Sequence, residues 1–193
     1  MGIEFELKYR ATPEALEQLD LLVDGARTVY RMQTTYYDTA DGRLSAKYYT
    51  LRCRVENETA VCTLKAPAKG LGRGEWDLEC DDIQKAIPEL CKLGAPQDLQ
   101  ELTADGVIPI CGARFTRIAK QVVLPDCTVE LALDQGVLLG GGREIPLCEM
   151  EVELKDGDPG QCEQYARRLA KLLSLEPESK SKFRRAQLLY KGE

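Results

Sequence analysis

The sequence contains no histidine among its 193 residues. Histidine is the commonest general base in enzymes and the usual nitrogen ligand of zinc. Its absence excludes Ser-His and Cys-His nucleophilic chemistry, and it excludes the commonest zinc sites. If this chain is an enzyme, then carboxylates, lysines, tyrosines or a water held by a metal must carry the reaction.

Long apolar runs are also missing. No segment approaches the roughly 18 apolar residues that a membrane span needs, and the first residues are charged rather than typical of a secretory signal. We therefore expect a cytoplasmic protein without membrane contact. The formal net charge of -6 argues against a nucleic-acid surface, although a local basic site for a compact polyanion remains compatible with it.

The cysteines lack the spacing of a metal or redox motif, because no C-x-x-C pair occurs. Several of them alternate with charged residues, as small buried hydrophobic residues do on strands. We interpret the eight cysteines as reduced thiols in the core or at the surface. They are Cys53, Cys62, Cys80, Cys91, Cys111, Cys127, Cys148 and Cys162.

Most segments show the period-2 alternation of strands, interrupted by a few helical stretches. Thr12-Pro13 and Asp158-Pro159 each read as a helix start, with a capping residue followed by proline at the first helical position. No repeat or linker is apparent, so we predict a single domain over residues 1–193. Eight or so strands predict an α+β, mainly β fold: a closed eight-stranded antiparallel barrel with helices packed outside, because closure removes exposed edges.

Charge follows one face of these strands. Glu4, Glu6 and Lys8 share one face of the first strand, and a second segment repeats the arrangement with Glu149, Glu151 and Glu153. Carboxylates at alternate positions lie about 6 to 7 Å apart, which is close enough to hold a divalent metal together with partner strands.

Basic residues form separate groups on other strands, represented by Arg52, Arg54 and Lys65. For any single strand, a charged face in water is the simpler interpretation. A closed barrel must nevertheless point one face of every strand inward, and like charges 4 Å apart repel by about 4 kcal/mol at an effective dielectric of 20. Divalent cations and a multiply charged anion would neutralise the two groups, as at a metal-polyphosphate site.

The glycine-rich segment and the single tryptophan both have structural interpretations. The glycine-rich segment 69–74 lacks the G-x-x-x-x-G-K-[ST] pattern, so we interpret it as a connection between strands. The single tryptophan, Trp76, lies on the face opposite Glu75 and Asp77, which predicts an outward position rather than a platform for an organic ring.

The segment Glu4-Phe-Glu-Leu-Lys8 resembles the Glu-x-Glu-x-Lys signature of the CYTH superfamily, also called triphosphate tunnel metalloenzymes. The supporting matches run through nearly the whole chain in the family's order. They are Tyr36 to Thr39, Leu51 to Arg54, Thr63 to Lys65, Arg73 to Glu75, Glu130 to Gly136, Glu149 to Glu153, and Ser181-Lys182 with Arg185.

The resemblance implies a tunnel that binds a small-molecule triphosphate with two divalent metals, Mg²⁺ or Mn²⁺. The catalytic set would be Glu4, Glu6 and Lys8. The metal ligands would be Glu4, Glu6, Glu149, Glu151 and Glu153. The phosphate-binding residues would be Lys8, Arg52, Arg54, Lys65, Arg117 and Lys182. Supporting residues would be Glu75, Asp77, Glu130, Asp134 and Arg185.

Some assignments stay open in the sequence. Three glutamates from 149 to 153 offer more ligands than one pair needs, and Arg117 and Lys120 lie on opposite faces, so only one can face the tunnel. Tyr36, Tyr37 and Asp38 could serve the fold or the reaction. The oligomeric state is open as well.

The pattern looks most like the short bacterial inorganic triphosphatases, which implies hydrolysis of inorganic triphosphate to pyrophosphate and phosphate. The alternatives within the family are thiamine triphosphatase, nucleoside triphosphatase and class IV adenylate cyclase, of which the last carries a His-Phe signature that this chain lacks. Outside enzymes, the alternative is a module that binds polyphosphate or nucleotide without turnover.

Overall fold

A nine-stranded antiparallel sheet dominates the computed structural model, which describes residues 5–67 and 73–193. Glu4 and residues 68–72 of the glycine-rich segment lie outside the described residues. The strands are β1 (Glu6–Arg10), β2 (Ala26–Asp38), β3 (Thr50–Glu56), β4 (Thr59–Pro67), β5 (Arg73–Glu79), β6 (Ile108–Val123), β7 (Cys127–Gly140), β8 (Arg143–Gly157) and β9 (Glu176–Pro177).

Six helices connect or flank these strands in the described part of the chain. They are α1 (Pro13–Leu22), α2 (Arg43–Ala46), α3 (Ile83–Lys92), α4 (Asp98–Leu102), α5 (Pro159–Leu172) and α6 (Lys182–Lys191). The side chain of Thr12 accepts a hydrogen bond from the Ala15 N–H at the start of α1, and Asp158 caps α5 in the same way. Both predicted helix starts are therefore confirmed. Over the described residues, no helix has the length and apolar character needed to cross a membrane.

The mainly β, antiparallel prediction is confirmed, but the predicted closed eight-stranded barrel is wrong. The strand order is β5-β4-β3-β2-β6-β7-β8-β1-β9, and within residues 5–67 and 73–193 the edge strands β5 and β9 are not paired with each other. The ninth strand is two residues long and contains Pro177, which lacks an N–H for a further ladder. Such a short edge strand presents few unpaired backbone groups, so it does not favour pairing with a further strand.

Strand alternation gives the sheet an inner and an outer face. On the outer face, one apolar cluster packs α1 and α5 against β7 and β8, and a second cluster packs α3 against β3 and β4. These helices lie outside the sheet, as predicted. By contrast, α6 packs on the inner face, where Ala186 joins a cluster with Met32, Phe115 and Leu147. The inner face is therefore apolar beneath α6 and charged elsewhere.

Candidate active site

A charged cavity of about 470 Å³ occupies the inner face of the sheet. Every strand from β1 to β8 contributes side chains to it, so the open sheet curls until both of its ends reach one space. Its lining includes Glu6, Lys8, Arg52, Arg54, Lys65, Arg73, Glu75, Asp77, Arg117, Glu130, Glu151, Glu153, Lys155 and Lys182. The alternation of charge predicted from the sequence thus produces a charged interior.

One side of the cavity is basic. We call Arg52, Arg54 and Lys65, from β3 and β4, the basic wall. Glu75 of β5 lies 3.2 Å from Lys65 and 3.6 Å from Arg52, measured between side-chain nitrogen and oxygen atoms. Arginine offers a planar fork of donors that matches phosphate oxygens, and lysine adds a compact charge. This wall has the composition of a phosphate-binding surface.

The other side of the cavity carries three carboxylates in one line. In the strand register, Glu130 of β7 lies opposite Glu153 of β8, and Glu153 lies opposite Glu6 of β1. We call these residues the carboxylate row. Cross-strand neighbours have Cβ atoms about 4.5 to 5.5 Å apart, and like charges in that position destabilise a sheet. Lys155 Nζ lies 2.8 Å from Glu153 and 4.0 Å from Glu130.

A second group of carboxylates adjoins the cavity, with Glu151 in the cavity lining and Asp134 and Glu149 buried behind it. Asp134, Glu149 and Glu151 each offer an oxygen within 4.8 Å of the others, and we call them the buried carboxylate cluster. The ammonium group of Lys182 lies 2.7 Å from Asp134 and 2.8 Å from Glu151, and it also contacts Glu149. Arg117 donates to both Asp134 and Glu151. In this conformation, cations of the chain itself occupy the cluster.

The pKa shifts follow from this pairing. Burial alone lowers the pKa of Lys182, but the charges of Glu151 and Asp134 outweigh burial and raise it. For Glu151, burial raises the pKa, yet Lys182 and Arg117 lower it well below its usual range. Burial dominates at Glu149 and raises its pKa, in part offset by Lys182. The cluster is thus a set of ion pairs that depend on one another.

The basic wall shows the opposite balance. Burial lowers the pKa of Arg54, and the positive charge of Arg52 lowers it further. Arginine nonetheless keeps its proton in proteins, so the wall carries closely spaced positive charge. A polyanion in the cavity would relieve this repulsion.

The N-terminal end of α6 also faces the cavity. Ser181 caps the helix by accepting a hydrogen bond from the Arg184 N–H, and Ser181, Lys182 and Phe183 all line the space. A helix N-terminus carries about half a positive charge. The ring of Phe115 lies beneath both Lys182 and Arg117, 5.3 and 5.9 Å from their cationic groups, which helps to hold them in place.

The structure resolves several alternatives that the sequence left open. Arg117 faces the cavity, whereas Lys120 points outward and binds the backbone carbonyl of Val23 at 2.8 Å. Tyr36 lines the cavity, and Tyr37 packs in the outer cluster beneath α3. Trp76 packs in that same outer cluster, as predicted.

Asp38 serves the fold. Its carboxylate accepts hydrogen bonds from the backbone N–H groups of Thr39, Leu44 and Ser45, which fixes the start of α2. Asp77 accepts a hydrogen bond from the Thr63 hydroxyl at 2.6 Å, and Arg185 contacts both Glu149 and Glu178. Asp77 and Arg185 thereby orient groups next to the cavity.

Three charged residues of the cavity lining were not predicted as site residues: Glu56, Arg73 and Lys155. Arg73 lines the cavity and donates to the Thr50 hydroxyl, although it had only been noted as part of a motif. Lys155 lies two positions after Glu153, so the same alternation that selected the glutamates places it on their face. Extending the charged face by one more step would have found it.

The carboxylate row offers the oxygen ligands that divalent cations take, although among the described residues only the buried carboxylate cluster brings three such oxygens within 4.8 Å of one another. The three side chains of the row are 21% (Glu6), 30% (Glu130) and 28% (Glu153) exposed, and all of them line the cavity. Oxygen-only ligands of this kind suit hard cations such as Mg²⁺ and Mn²⁺. A cation bound there would also relieve the repulsion between carboxylates that lie directly opposite one another. Glu4, which the sequence pattern predicts on the same face, lies outside the described residues.

Comparison with known proteins agrees with the geometry of the site. The chain matches the CYTH domain over residues 2–187. It is 34% identical over 128 residues to an inorganic triphosphatase from Haemophilus influenzae, a match that covers 64% of this chain and 36% of that protein. The chain therefore spans about a third of the length of that relative.

Solved structures share the fold. A Hippeastrum protein, described as a putative adenylyl cyclase with a dominant triphosphatase activity, superposes with a TM-score of 0.68 at 22% identity, covering 100% of this chain and 97% of its own. A Pyrococcus horikoshii protein superposes with a TM-score of 0.62 at 22% identity, covering 98% and 99%. The match over residues 2–187 shows that the chain belongs to the CYTH domain family.

Proposed function

We propose that this chain hydrolyses inorganic triphosphate to pyrophosphate and phosphate, and that the reaction depends on Mg²⁺ or Mn²⁺. The proposal depends on the separation of charge in the cavity, where the basic wall lies on one side and the carboxylate row on the other. A polyphosphate chain and divalent cations together neutralise both sides. The relative from Haemophilus influenzae is an inorganic triphosphatase, which supports the same substrate.

The cations would be held by Glu6 and Glu153, with Glu130 beside them and Glu151 at the edge of the buried cluster. When bound, divalent cations supply Lewis-acid chemistry: they polarise phosphoryl oxygens and activate water. We also propose Glu4 as a cation ligand, because it is the first glutamate of the Glu-x-Glu-x-Lys pattern. Glu149 was also predicted as a ligand, but its contacts with Lys182 and Arg185 favour a role in holding those two residues.

The chain's own cations bind and orient the substrate. Arg52, Arg54 and Lys65 grip phosphate oxygens along the basic wall, and Lys8, Arg117 and Lys182 reach the cavity from the opposite side. Charge that spreads onto the phosphoryl oxygens in the transition state is stabilised by these fixed donors. Glu75 orients Arg52 and Lys65, so that their positive groups are positioned before the substrate arrives.

Carboxylates orient the nucleophilic water and accept its proton, because the chain has no histidine. Glu6 and Glu153 lie on the side of the cavity where a nucleophilic water would meet the terminal phosphate of a chain held by the basic wall. Either carboxylate accepts a hydrogen bond from that water and orients it for in-line attack. The leaving pyrophosphate is stabilised by the cations of the chain, so no general acid is required.

The test is a substrate panel followed by ³¹P NMR. Purified chain is incubated with inorganic triphosphate, longer polyphosphate, ATP or thiamine triphosphate, each with Mg²⁺, Mn²⁺ or EDTA. We expect the highest kcat/KM for inorganic triphosphate, with one pyrophosphate and one phosphate formed per substrate, and no turnover in EDTA. Binding of triphosphate without turnover would instead identify a sensing module. A higher kcat/KM for ATP or thiamine triphosphate would reassign the substrate.

The proposal also covers the domain organisation and the cellular location. We propose that residues 1–193 act as one domain, which the hydrogen-bonded continuity of the sheet from β5 to β9 supports. We also propose a cytoplasmic enzyme that acts on a small molecule without nucleic acid.

A further inference from the structure

Two cysteine thiols face each other on the outer side of the sheet, away from the cavity. Cys53 of β3 and Cys62 of β4 are directly opposite in the strand register. Both thiols donate to the carbonyl oxygen of Cys80, with sulfur–oxygen distances of 3.8 and 3.2 Å. The proposed reaction uses neither of these thiols.

The hydrogen-bond pattern brings this pair of residues close together. The Ala60 carbonyl accepts a hydrogen bond from the N–H of Cys80, which directly follows β5. Backbone groups two residues apart on a strand point to the same side, so those of Cys62 also point toward β5. Cys62 therefore forms a non-hydrogen-bonded pair with Cys53, for which Cα atoms lie about 4.5 Å apart. That separation lies within the range of about 4.4 to 6.8 Å that a disulfide requires.

We propose that Cys53 and Cys62 form a site of reversible oxidation, and that closing the disulfide lowers the affinity of the cavity for phosphate. A two-electron oxidant such as a diazene dicarboxamide is the co-reactant. The Cys53 thiolate adds to one azo nitrogen, and the Cys62 thiolate then attacks the Cys53 sulfur. The S–S bond forms, the S–N bond breaks, and the hydrazine product carries away both electrons and both protons.

Access and reduction state are consistent with this order of steps. Cys62 is fully buried, whereas Cys53 is half-buried and therefore reachable by a small oxidant. Burial raises the pKa of both thiols, so at neutral pH each reacts through a small thiolate fraction, its proton passes to the hydrazine product, and oxidation requires an added oxidant.

The coupling to the cavity rests on the proposed function. Cys53 lies between Arg52 and Arg54, and alternation places both arginines on the inner face, where they line the basic wall. A disulfide holds its Cβ atoms about 3.8 Å apart, closer than the 4.5 to 5.5 Å of an unlinked cross-strand pair. Drawing the outer faces of β3 and β4 together shifts the arginines that flank Cys53. Small displacements of positioning groups have large effects on catalysis.

The experiment treats the whole chain with diamide and compares it with chain kept in dithiothreitol. Non-reducing peptide mapping by mass spectrometry identifies the linkage, and calorimetric titration with inorganic triphosphate measures binding without reference to turnover. We expect a Cys53–Cys62 peptide and about tenfold weaker triphosphate binding, reversed by dithiothreitol. Cys53→Ser should abolish both changes, whereas Cys111→Ser, a buried cysteine in the cluster beneath α6, should retain both.

The outcomes separate this proposal from the proposed function. Absence of a Cys53–Cys62 peptide after full oxidation, or a linkage that runs to Cys80 instead, overturns the assignment of the pair. A correct linkage with unchanged triphosphate binding overturns the coupling to the basic wall. Because the linkage is read by mass and the binding by heat, a chain that fails to hydrolyse triphosphate still gives a decisive result for the thiol pair.

Discussion

The carboxylate row and the buried carboxylate cluster occupy neighbouring positions on strands β7 and β8, yet their surroundings differ. The buried carboxylate cluster has side chains that are 0% (Asp134), 0% (Glu149) and 9% (Glu151) exposed. The three members of the carboxylate row are 21 to 30% exposed and line the cavity. In the cluster, Lys182 and two arginines already provide the positive charge.

The difference shows that one charged face of the sheet has two parts: a cluster that forms ion pairs within the chain, and a row that is proposed to bind cations. Strand β8 supplies Glu149 to the cluster and Glu153 to the row, four residues apart on the same face. Ion pairs within the chain position Lys182 and Arg117 beside the cavity. The row has the exposure that an incoming cation needs. Substitutions in the cluster and in the row perturb one group and leave the other intact, and substitutions at Arg54 and Glu75 perturb the basic wall that faces the row.

The largest effect is expected from Glu149→Gln, which removes a buried charge from the cluster. Burial raises the pKa of Glu149 and so offsets part of the pairing, but the variant leaves Lys182 and Arg185 in a buried site with one carboxylate fewer. The free energy of unfolding should therefore fall by about 3 kcal/mol. Urea denaturation followed by circular dichroism measures it. The matched control is Glu163→Gln, which breaks an exposed pair with Arg167 and should change stability by less than about 1 kcal/mol. Equal effects of the two variants would contradict the structural role of the cluster.

Glu153→Gln and Glu6→Gln test the row. Each removes one proposed cation ligand, so kcat/KM for triphosphate with Mg²⁺ should fall by about 100-fold. Stability without metal should change by less than about 1 kcal/mol, because the relief of repulsion between Glu6 and Glu153 is offset by the loss of a partly exposed ion pair, Lys8–Glu6 at 2.6 Å or Lys155–Glu153 at 2.8 Å. Glu144→Gln, an exposed glutamate on the same strand, is the control and should keep normal turnover. Normal turnover in either row variant would remove that residue from the metal site.

Arg54→Ala addresses the basic wall that faces the row. Loss of one phosphate-binding group should lower kcat/KM by about tenfold, through weaker capture and weaker stabilisation of the transition state. Burial and Arg52 lower the pKa of Arg54, which opposes the stabilising contacts that Arg54 makes with Glu56 and Thr34, so the melting temperature should change little. Steady-state kinetics and a thermal melt check the two parts. A change confined to the melting temperature would indicate that Arg54 serves the fold alone.

The smallest effect is expected from Glu75→Gln, which frees Lys65 and Arg52 from their orienting carboxylate. The two cations would remain in the cavity but with more rotamer freedom, so KM should rise about threefold with kcat nearly constant. The control is Glu79→Gln, on the same strand but outside the cavity lining. A loss of kcat as large as that in the row variants would place Glu75 in the chemistry.

The local features of the fold were predictable because their causes are local. Thr12-Pro13 and Asp158-Pro159 start helices through their own capping hydrogen bonds and the fixed φ of proline. Period-2 alternation likewise put Arg117 and Lys120 on opposite faces and Trp76 on the outer face, since each strand has only two faces.

Other features depend on distant parts of the chain. The division between row and cluster depends on the register of β8 against β1 and β7, which the alternation within one strand does not contain. The inner position of α6 depends on a cluster assembled from Met32, Phe115 and Leu147 of three separate strands. The open edge arises from the two-residue β9, which is too short to show a periodic pattern.

The most direct test of the account is a titration with Mn²⁺, followed by the electron paramagnetic resonance signal of the free ion. The comparison covers the unmodified chain, Glu153→Gln, Glu130→Gln and Glu149→Gln, each under conditions where circular dichroism shows it folded. The account predicts at least about tenfold weaker Mn²⁺ binding in both row variants and nearly unchanged binding in Glu149→Gln. Unchanged binding in the row variants, with loss in Glu149→Gln, would show that the metal occupies the buried cluster and would contradict the account.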